Sequence, residues 1–412
     1  MRPKNTRLMT MVLSLVLMPN ALASTWYVNG VNGNDSDNCL SATTACKTVG
    51  HAISRASSGD SIRVAAATYN ESLSITISLV ILGSGASTTF IDGGASTRVV
   101  TISNSAAHVT LSNLTIRNGK AISGGGINNS GTLTLTNTTV SGNWAPIPCI
   151  HVFMVCISRG TASGGGIYNS GALIISSSII SGNHAGSYCN ANPCSALGGG
   201  IYNLGTLMMI RNSTLTGNSA STACSTSLSC SVGAGGAFYT FGGTVTLNNS
   251  TVTGSTAYRC SGTCGGAGGT ILNGSGNLAF NNSTVSGNSA GGILNSGTAT
   301  LQNSIISGNS GRNCTGTITS HGYNLSSDGS CAFNHSGDRN NTNPLLGALG
   351  YYGGPTPTIP LLSGSPAVDA GNPSGCTDGL GNLLKTDQRG APRPDLEDTG
   401  GCDIGAFERQ TD

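Results

Sequence analysis

The residues that could do acid–base chemistry are unevenly placed along this chain. Asp92 and Asp328 bracket 235 consecutive residues that contain neither Asp nor Glu. Hydrolysis of a glycosidic bond needs two carboxylates flanking the bond. Elimination on an acidic polysaccharide needs carboxylates to hold Ca2+ and a base to take the proton. Neither set can come from residues 93–327. His108, His151 and His184 lie there, but they are scattered and read as loop or rung residues. Ser is abundant, yet no Gly-x-Ser-x-Gly elbow accompanies a suitable acid. No residue is therefore assigned a catalytic role.

Acidic groups gather only near the two ends. Asp35 and Asp37, within Asn32–Asn38, could hold Ca2+ through hard oxygen ligands. The competing reading, which we prefer, is an Asx-rich turn. Ca2+ is the only cofactor the sequence suggests. In the tail, Asp369, Asp387, Arg389, Arg393, Asp403 and Glu408 form an acid–base cluster. We read it as salt-bridged packing of a C-terminal cap, the alternative being attachment to a surface partner.

The cysteines point to an oxidising compartment. There are 14, and they fall into sequence-local pairs: Cys39/Cys46, Cys149/Cys156, Cys189/Cys194, Cys224/Cys230, Cys260/Cys264, Cys314/Cys331 and Cys376/Cys402. Disulfides are the expectation for an exported chain. No pair is C-x2-C and no His pair accompanies them, which argues against zinc. The N-terminus agrees with export. Arg2, Lys4 and Arg7 precede a mostly apolar Leu8–Met18, and Ala21-Leu22-Ala23 is a small-x-small site, so residues 1–23 read as a signal peptide. No later segment is apolar enough to cross a membrane as a helix.

Composition narrows the class. The chain has 62 Gly among 412 residues and only 8% charged residues. With three Glu and four Lys it is no coiled coil, and its net charge of +2 gives no basic surface for nucleic acid. What remains is a neutral β-former rich in Gly, Ser, Thr and Asn.

The elements that would carry any site are repeats. Gly124–Asn143 contains a phrase, Gly-Gly-Gly-Ile then Thr-Leu-Thr-Leu then Thr-Val-Ser-Gly-Asn, which returns at 164–183, 198–218, 235–254, 268–288 and 291–309. Within a copy, apolar residues alternate with period two over runs ended by Gly, Asn or Ser, the pattern of short half-buried strands. Three such strands per copy fit one rung of a parallel β-helix. One inward wall should hold Ile127, Ile167, Ile201, Ile271 and Ile293. A second should hold Leu135, Ile175, Met209, Leu247, Phe280 and Leu301. A third should hold Val140, Ile180, Leu215, Val252, Val285 and Ile306. Asn143, Asn183, Asn218, Asn288 and Asn309 should adopt left-handed backbone and form a side-chain ladder. Stacking also accounts for the missing charge, because like charges ~4.8 Å apart destabilise a sheet. Loops 145–163, 185–197, 219–234 and 256–267 enter at one point of the repeat and should mark the functional face. Lys47–Ala56 reads as an amphipathic capping helix with Val49, Ile53 and Ala56 on one side.

The opening residues Trp26-Tyr27-Val28-Asn29, Cys46-Lys47-Thr48-Val49, Gly59-Asp60-Ser61-Ile62 and Thr68-Tyr69-Asn70-Glu71 resemble secreted right-handed parallel β-helix proteins of the pectate-lyase-like superfamily. The Gly-Gly-Gly-Ile-Tyr-Asn phrases are similar to repeats of polymorphic outer-membrane proteins. The tail, with Gly364-Ser365-Pro366-Ala367-Val368-Asp369-Ala370-Gly371, Thr386-Asp387-Gln388-Arg389-Gly390 and Cys402-Asp403-Ile404-Gly405-Ala406-Phe407-Glu408, resembles the choice-of-anchor module of surface proteins. The sequence thus predicts an all-β, right-handed parallel β-helix with an N-terminal helix cap and a C-terminal cap module. Its expected division is a signal peptide at 1–23, an N-terminal cap at 24–60, repeats at 61–343 and a C-terminal module at 344–412. The expected role is a secreted or cell-surface bacterial binding protein, adhesin-like, with a surface glycan or protein as ligand and no nucleic-acid partner. A polysaccharide lyase, a glycoside hydrolase or a non-catalytic glycan binder are the alternatives.

Overall fold

The computed structural model describes residues 23–152, 155–189, 194–224, 233–258, 268–395 and 401–411. The expected signal peptide thus lies outside the described residues. The chain winds as a right-handed parallel β-helix with three walls. Among the described residues the first wall has nine strands, from Leu73–Ile75 to Cys314–Thr315. The second has eleven, from Thr25–Val28 to Thr319–Ser320, and the third has ten, from Ala67–Asn70 to Leu325–Ser326. The helix therefore begins before residue 61, since Thr25–Val28 pairs in parallel with Ser61–Val64.

The inward stacks follow the alternation in the sequence. Ile127, Ile167, Ile201, Phe238, Ile271 and Ile293 stand in register on the first wall. Phe238 fills the rung where the repeat degenerates. Val140, Ile180, Leu215, Val252, Val285 and Ile306 form the third stack as expected. The second wall corrects one position. Ile175 is paired with Ile210, not Met209, and Met208 and Ile210 are buried while Met209 faces outward. The turn after Ile201 holds one residue more than the turn after Ile167, and a one-residue shift exchanges the faces of a strand.

Asparagines serve two separate purposes. Asn143, Asn183 and Asn218 are buried and laddered, Asn143 Nδ2 donating to Asn183 Oδ1 at 2.9 Å and Asn183 Nδ2 to Asn218 Oδ1 at 3.0 Å. Asn288 and Asn309 continue the device at 2.8 Å. They do not adopt the left-handed backbone expected of them. The preceding glycine takes it instead, as at Gly142 and Gly182 with φ of 62° and 60°. A different row is left-handed: Asn113, Asn137, Asn212, Asn249, Asn282 and Asn303, at the turn between the second and third walls.

The ends are closed differently. A helix at Val49–Arg55, capped by the Thr48 hydroxyl, covers the N-terminal end by burying Val49 and Ala52, with Ile53 and Ala56 half-buried against the core. At the far end Cys331 and Phe333 complete the apolar core. Disulfides join Cys39–Cys46, Cys314–Cys331 and Cys376–Cys402. Cys194 is also disulfide-bonded. The expected partners Cys149, Cys156, Cys189, Cys224, Cys230, Cys260 and Cys264 lie outside the described side chains. The inserted loops are not separate projections. Trp144–Ala145, His184–Ala185, Ser219–Ser221 and Thr256–Tyr258 stack in parallel, as do Gly160–Ser163, Cys194–Leu197 and Gly233–Ala234. Ala145, Ile147, Ala162, Ala185, Ala196 and Ala220 give this side column its own small core.

The C-terminal module does not sit over the end of the solenoid. It runs back along the outer surface of the third wall as a strap. Its contacts reach Asn212 and Thr214, more than 140 residues earlier in the chain. Outward residues of the third wall are buried beneath it at Thr214, Thr251, Thr284 and Ile305, whereas Thr139 and Ile179 stay partly exposed on rungs it does not cover.

Candidate functional site: the flank cleft beside the C-terminal strap

The strap is fastened by polar groups that its own sequence supplies. Gln388 is buried and acts as a peg. Its Oε1 accepts the Thr251 hydroxyl at 2.6 Å, and its Nε2 donates to Thr214 Oγ1 at 2.8 Å, Thr356 Oγ1 at 3.0 Å and the Pro357 carbonyl at 3.0 Å. Four of the six tail residues expected to form an acid–base cluster do meet there, as two arginine–carboxyl pairs. Arg393 Nε lies 2.7 Å from Glu408 Oε2, both side chains fully buried, and Arg393 Nη1 donates to Asn249 Oδ1 at 3.0 Å. Arg389 Nε lies 2.8 Å from Asp387 Oδ2, with its guanidinium 3.6 Å from the centre of the Phe407 ring. Asp403 accepts the amides of Asp369 at 2.8 Å and Arg409 at 2.6 Å. Asp369 takes part through that backbone amide, and its side chain is exposed.

Burial governs the electrostatics of this cluster. It pushes Glu408 up to about 8, more than the Arg393 charge pulls it down. It pushes Asp403 up to about 6, against hydrogen bonds from the Arg409 and Asp369 amides. Shifts of this kind also mark active sites. Here Asp387, Asp403 and Glu408 are each no more than 1% exposed, so the cluster is closed to a polymeric substrate. Its geometry is that of a clamp.

The strap ends at an open cleft of about 600 Å3. Phe90, Asn113, Thr115, Arg117, Asn137 and Thr139 form its floor, and Tyr351 and Pro355 at the strap's leading edge form one wall. Tyr351 is 67% exposed. The Arg117 guanidinium sits over the Phe90 ring, 4.1 Å from its centre, and is paired with Asp92 at 2.7 Å. The other donors to Asp92 are the Gly94 amide at 2.9 Å and Asn118 Nδ2 at 2.9 Å. Burial would raise the Asp92 carboxyl, but these donors and the Arg117 charge hold it below the usual range. Asp92 is thus a fixed anion that orients Arg117, and no carboxylate lines the cleft among the described residues. The floor offers hydroxyls, amides and one aromatic face, a set suited to binding neutral polar groups.

The other expected site residues lie far from this cleft. Asp35 accepts the Lys47 amide at 2.9 Å, the Thr48 amide at 3.0 Å and the Thr48 hydroxyl at 2.9 Å, anchoring the loop before the capping helix. Asp37 sits in the same loop, its amide bonded to the Asn34 carbonyl at 3.0 Å. His184 stands in the side column beside Trp144. Sequence reading missed Asn113 and Asn137. Their signal was present: an Asn or Ser recurs directly after the second-wall strands from His108–Ser112 to Thr298–Gln302, as at Asn137, Ser177 and Asn212.

No protein-family model matches the sequence, and no curated protein matches it. Among solved structures, the crystal structure of pectate lyase Pel9A superposes with a TM-score of 0.53 at 14% sequence identity, covering 94% of this chain and 96% of that one. The chain therefore shares the parallel β-helix fold of that enzyme across nearly its whole length.

Proposed function

We propose that the protein is a secreted or cell-surface binding protein whose ligand site is the flank cleft, and that it binds without chemical turnover. The observation that carries this reading is the cleft's composition. Asn, Thr, Ser and Phe line it, its one charged residue is already paired, and Asp387, Asp403 and Glu408 are buried in the strap. Such a surface can grip a polar ligand but holds no acid and base facing one reacting atom. The fold it shares with a pectate lyase supports a role at a polymer-rich exterior.

The test combines binding with turnover. The purified chain is applied to arrays of glycans and peptides and incubated with polysaccharides under reducing-sugar and unsaturated-product assays. Binding that is lost in Thr139→Trp, which fills the cleft floor, is the expected outcome. Product release from any polysaccharide would overturn the non-catalytic reading. Binding untouched by Thr139→Trp would move the site elsewhere.

A further inference from the structure

The strap is held by a device repeated from rung to rung. At three of the four covered rungs the left-handed Asn between the second and third walls points its amide at the strap backbone, while at the fourth the Asn212 backbone carbonyl accepts the Thr356 hydroxyl at 3.1 Å. Asn249 Nδ2 donates to the Thr386 carbonyl at 2.8 Å, Asn282 Nδ2 to the Thr377 carbonyl at 2.7 Å, and Asn303 Nδ2 to the Asp403 carbonyl at 2.9 Å. The hydroxyl two residues later adds a second hold. Thr214 donates to the Pro357 carbonyl, Thr251 to Gln388, and Thr284 Oγ1 accepts the Ala406 amide at 3.1 Å.

The same row continues beyond the strap. Asn113 and Asn137 have φ of 55° and 47°, against 45° at Asn249 and 50° at Asn282. Thr115 and Thr139 follow them at the same spacing. Thr115 is buried and donates to the Ala86 carbonyl at 2.5 Å, so the open part of the row is Asn113, Asn137 and Thr139. The Asn113 and Asn137 side chains make no hydrogen bond to any described residue, and both line the cleft that opens at Tyr351 and Pro355.

We propose that the cleft binds an extended peptide segment of a partner protein, laid against Asn113, Asn137 and Thr139 as the strap is laid against the rungs that follow. The inference rests on the reading that this cleft is the ligand site, and it names the ligand's class. Continuity with the strap interface identifies the chemistry. Main-chain carbonyls satisfy the Asn amides, as the strap's own carbonyls do. Side chains near the wall are small or Pro and Thr, because the strap segment beside Asn212 and Thr214 is Gly353-Gly354-Pro355-Thr356-Pro357-Thr358. The segment is uncharged, because Arg117 is already paired with Asp92.

The probe is a fluorescent synthetic copy of residues 351–360, titrated into the full chain and read by anisotropy. Asn→Gly is the informative substitution, since Gly keeps the left-handed backbone and removes only the amide. Saturable binding is expected, weakened at least fivefold by Asn137→Gly and at least tenfold by the Asn113→Gly/Asn137→Gly double variant, with an unchanged melting temperature. Asn137→Asp should weaken it too, because a carboxylate faces a carbonyl. Peptide binding that ignores all three variants would overturn the inference. So would a neutral oligosaccharide that binds, and is lost in the double variant, while the peptide does not bind; the cleft would then remain the ligand site with a glycan occupant. If neither probe depends on these residues, the reading of the cleft fails and the inference with it.

Discussion

Replacing Gln388 by Ala tests whether the strap is a separately fastened element. The side chain makes four hydrogen bonds of 2.6 to 3.0 Å, all buried. Each is worth about 0.5–1.5 kcal/mol net, giving about 2–6 kcal/mol if every partner were stranded. They are not stranded. Thr214 still donates to the Pro357 carbonyl, Thr356 to the Asn212 carbonyl at 3.1 Å, and Thr251 lies 3.3 Å from the Thr358 hydroxyl. The expected cost is therefore near the lower end, about 2–3 kcal/mol, or roughly a 30- to 150-fold rise in strap opening. Gln388→Met keeps the volume and should cost less by the cavity contribution alone. Gln388→Glu places a carboxylate against the Pro357 carbonyl. Its penalty at pH 7 is capped near 4 kcal/mol, the cost of protonating it from an unfolded pKa of ~4.3, and it should shrink toward pH 5. Native-state hydrogen exchange reads the result. The Gly405 amide, bonded to the Asn303 carbonyl at 3.0 Å, reports the strap, and the wall amides of Val252 and Val285 report the solenoid. A change under threefold at Gly405, or equal changes at strap and wall, would refute a strap that opens on its own.

Four further outcomes are expected. Asp403 and Glu408, pushed up to about 6 and about 8 by burial, hold protons in the folded strap that the unfolded chain has released. Their contribution to strap stability is thus full below about pH 4 and lost as pH rises through 6 and then 8, which Gly405 exchange at pH 5, 7 and 9 will show. Asp35, Asp92 and Asp328 behave oppositely. Burial raises them but the hydrogen bonds they accept lower them further, so their support is present above about pH 4 and fades as the solution is acidified through their lowered values; melting curves from pH 5 to 2 check the sign. Ile210→Ala should cost about 2–5 kcal/mol in denaturant unfolding and Met209→Ala under about 1 kcal/mol, whereas the reverse order would restore the phase the alternation suggests. Replacing Cys376 and Cys402 by Ser should destabilise the strap by about 3–4 kcal/mol, the loop-closure value for their separation of 26 residues, measured by the same exchange.

The solenoid was legible because each rung restates it. Two of the three inward stacks were placed without error, and the third failed only at Leu-Met-Met-Ile, where both faces of the strand are apolar and alternation carries no phase. The pairs Cys39/Cys46, Cys314/Cys331 and Cys376/Cys402 were legible from proximity alone. The strap was not. Gln388 meets Thr214 across 174 residues, and an irregular segment has no period to reveal its partner. The cleft was hidden for the same reason, since one wall of it is the strap's edge. Arg393 and Glu408, only 15 residues apart, meet as a fully buried pair.

A solenoid built only of stacked neighbours could acquire its final form rung by rung as the chain is made. The strap removes that freedom. Residues 356–408 bind rungs at 212–305, so those rungs complete their outer surface only after the strap that follows them has left the ribosome. Until then Thr214, Thr251 and Thr284 present the same open row as Thr139. The nascent chain is therefore a longer version of the finished groove, and the strap's leading edge at Tyr351 and Pro355 sets where that groove stops.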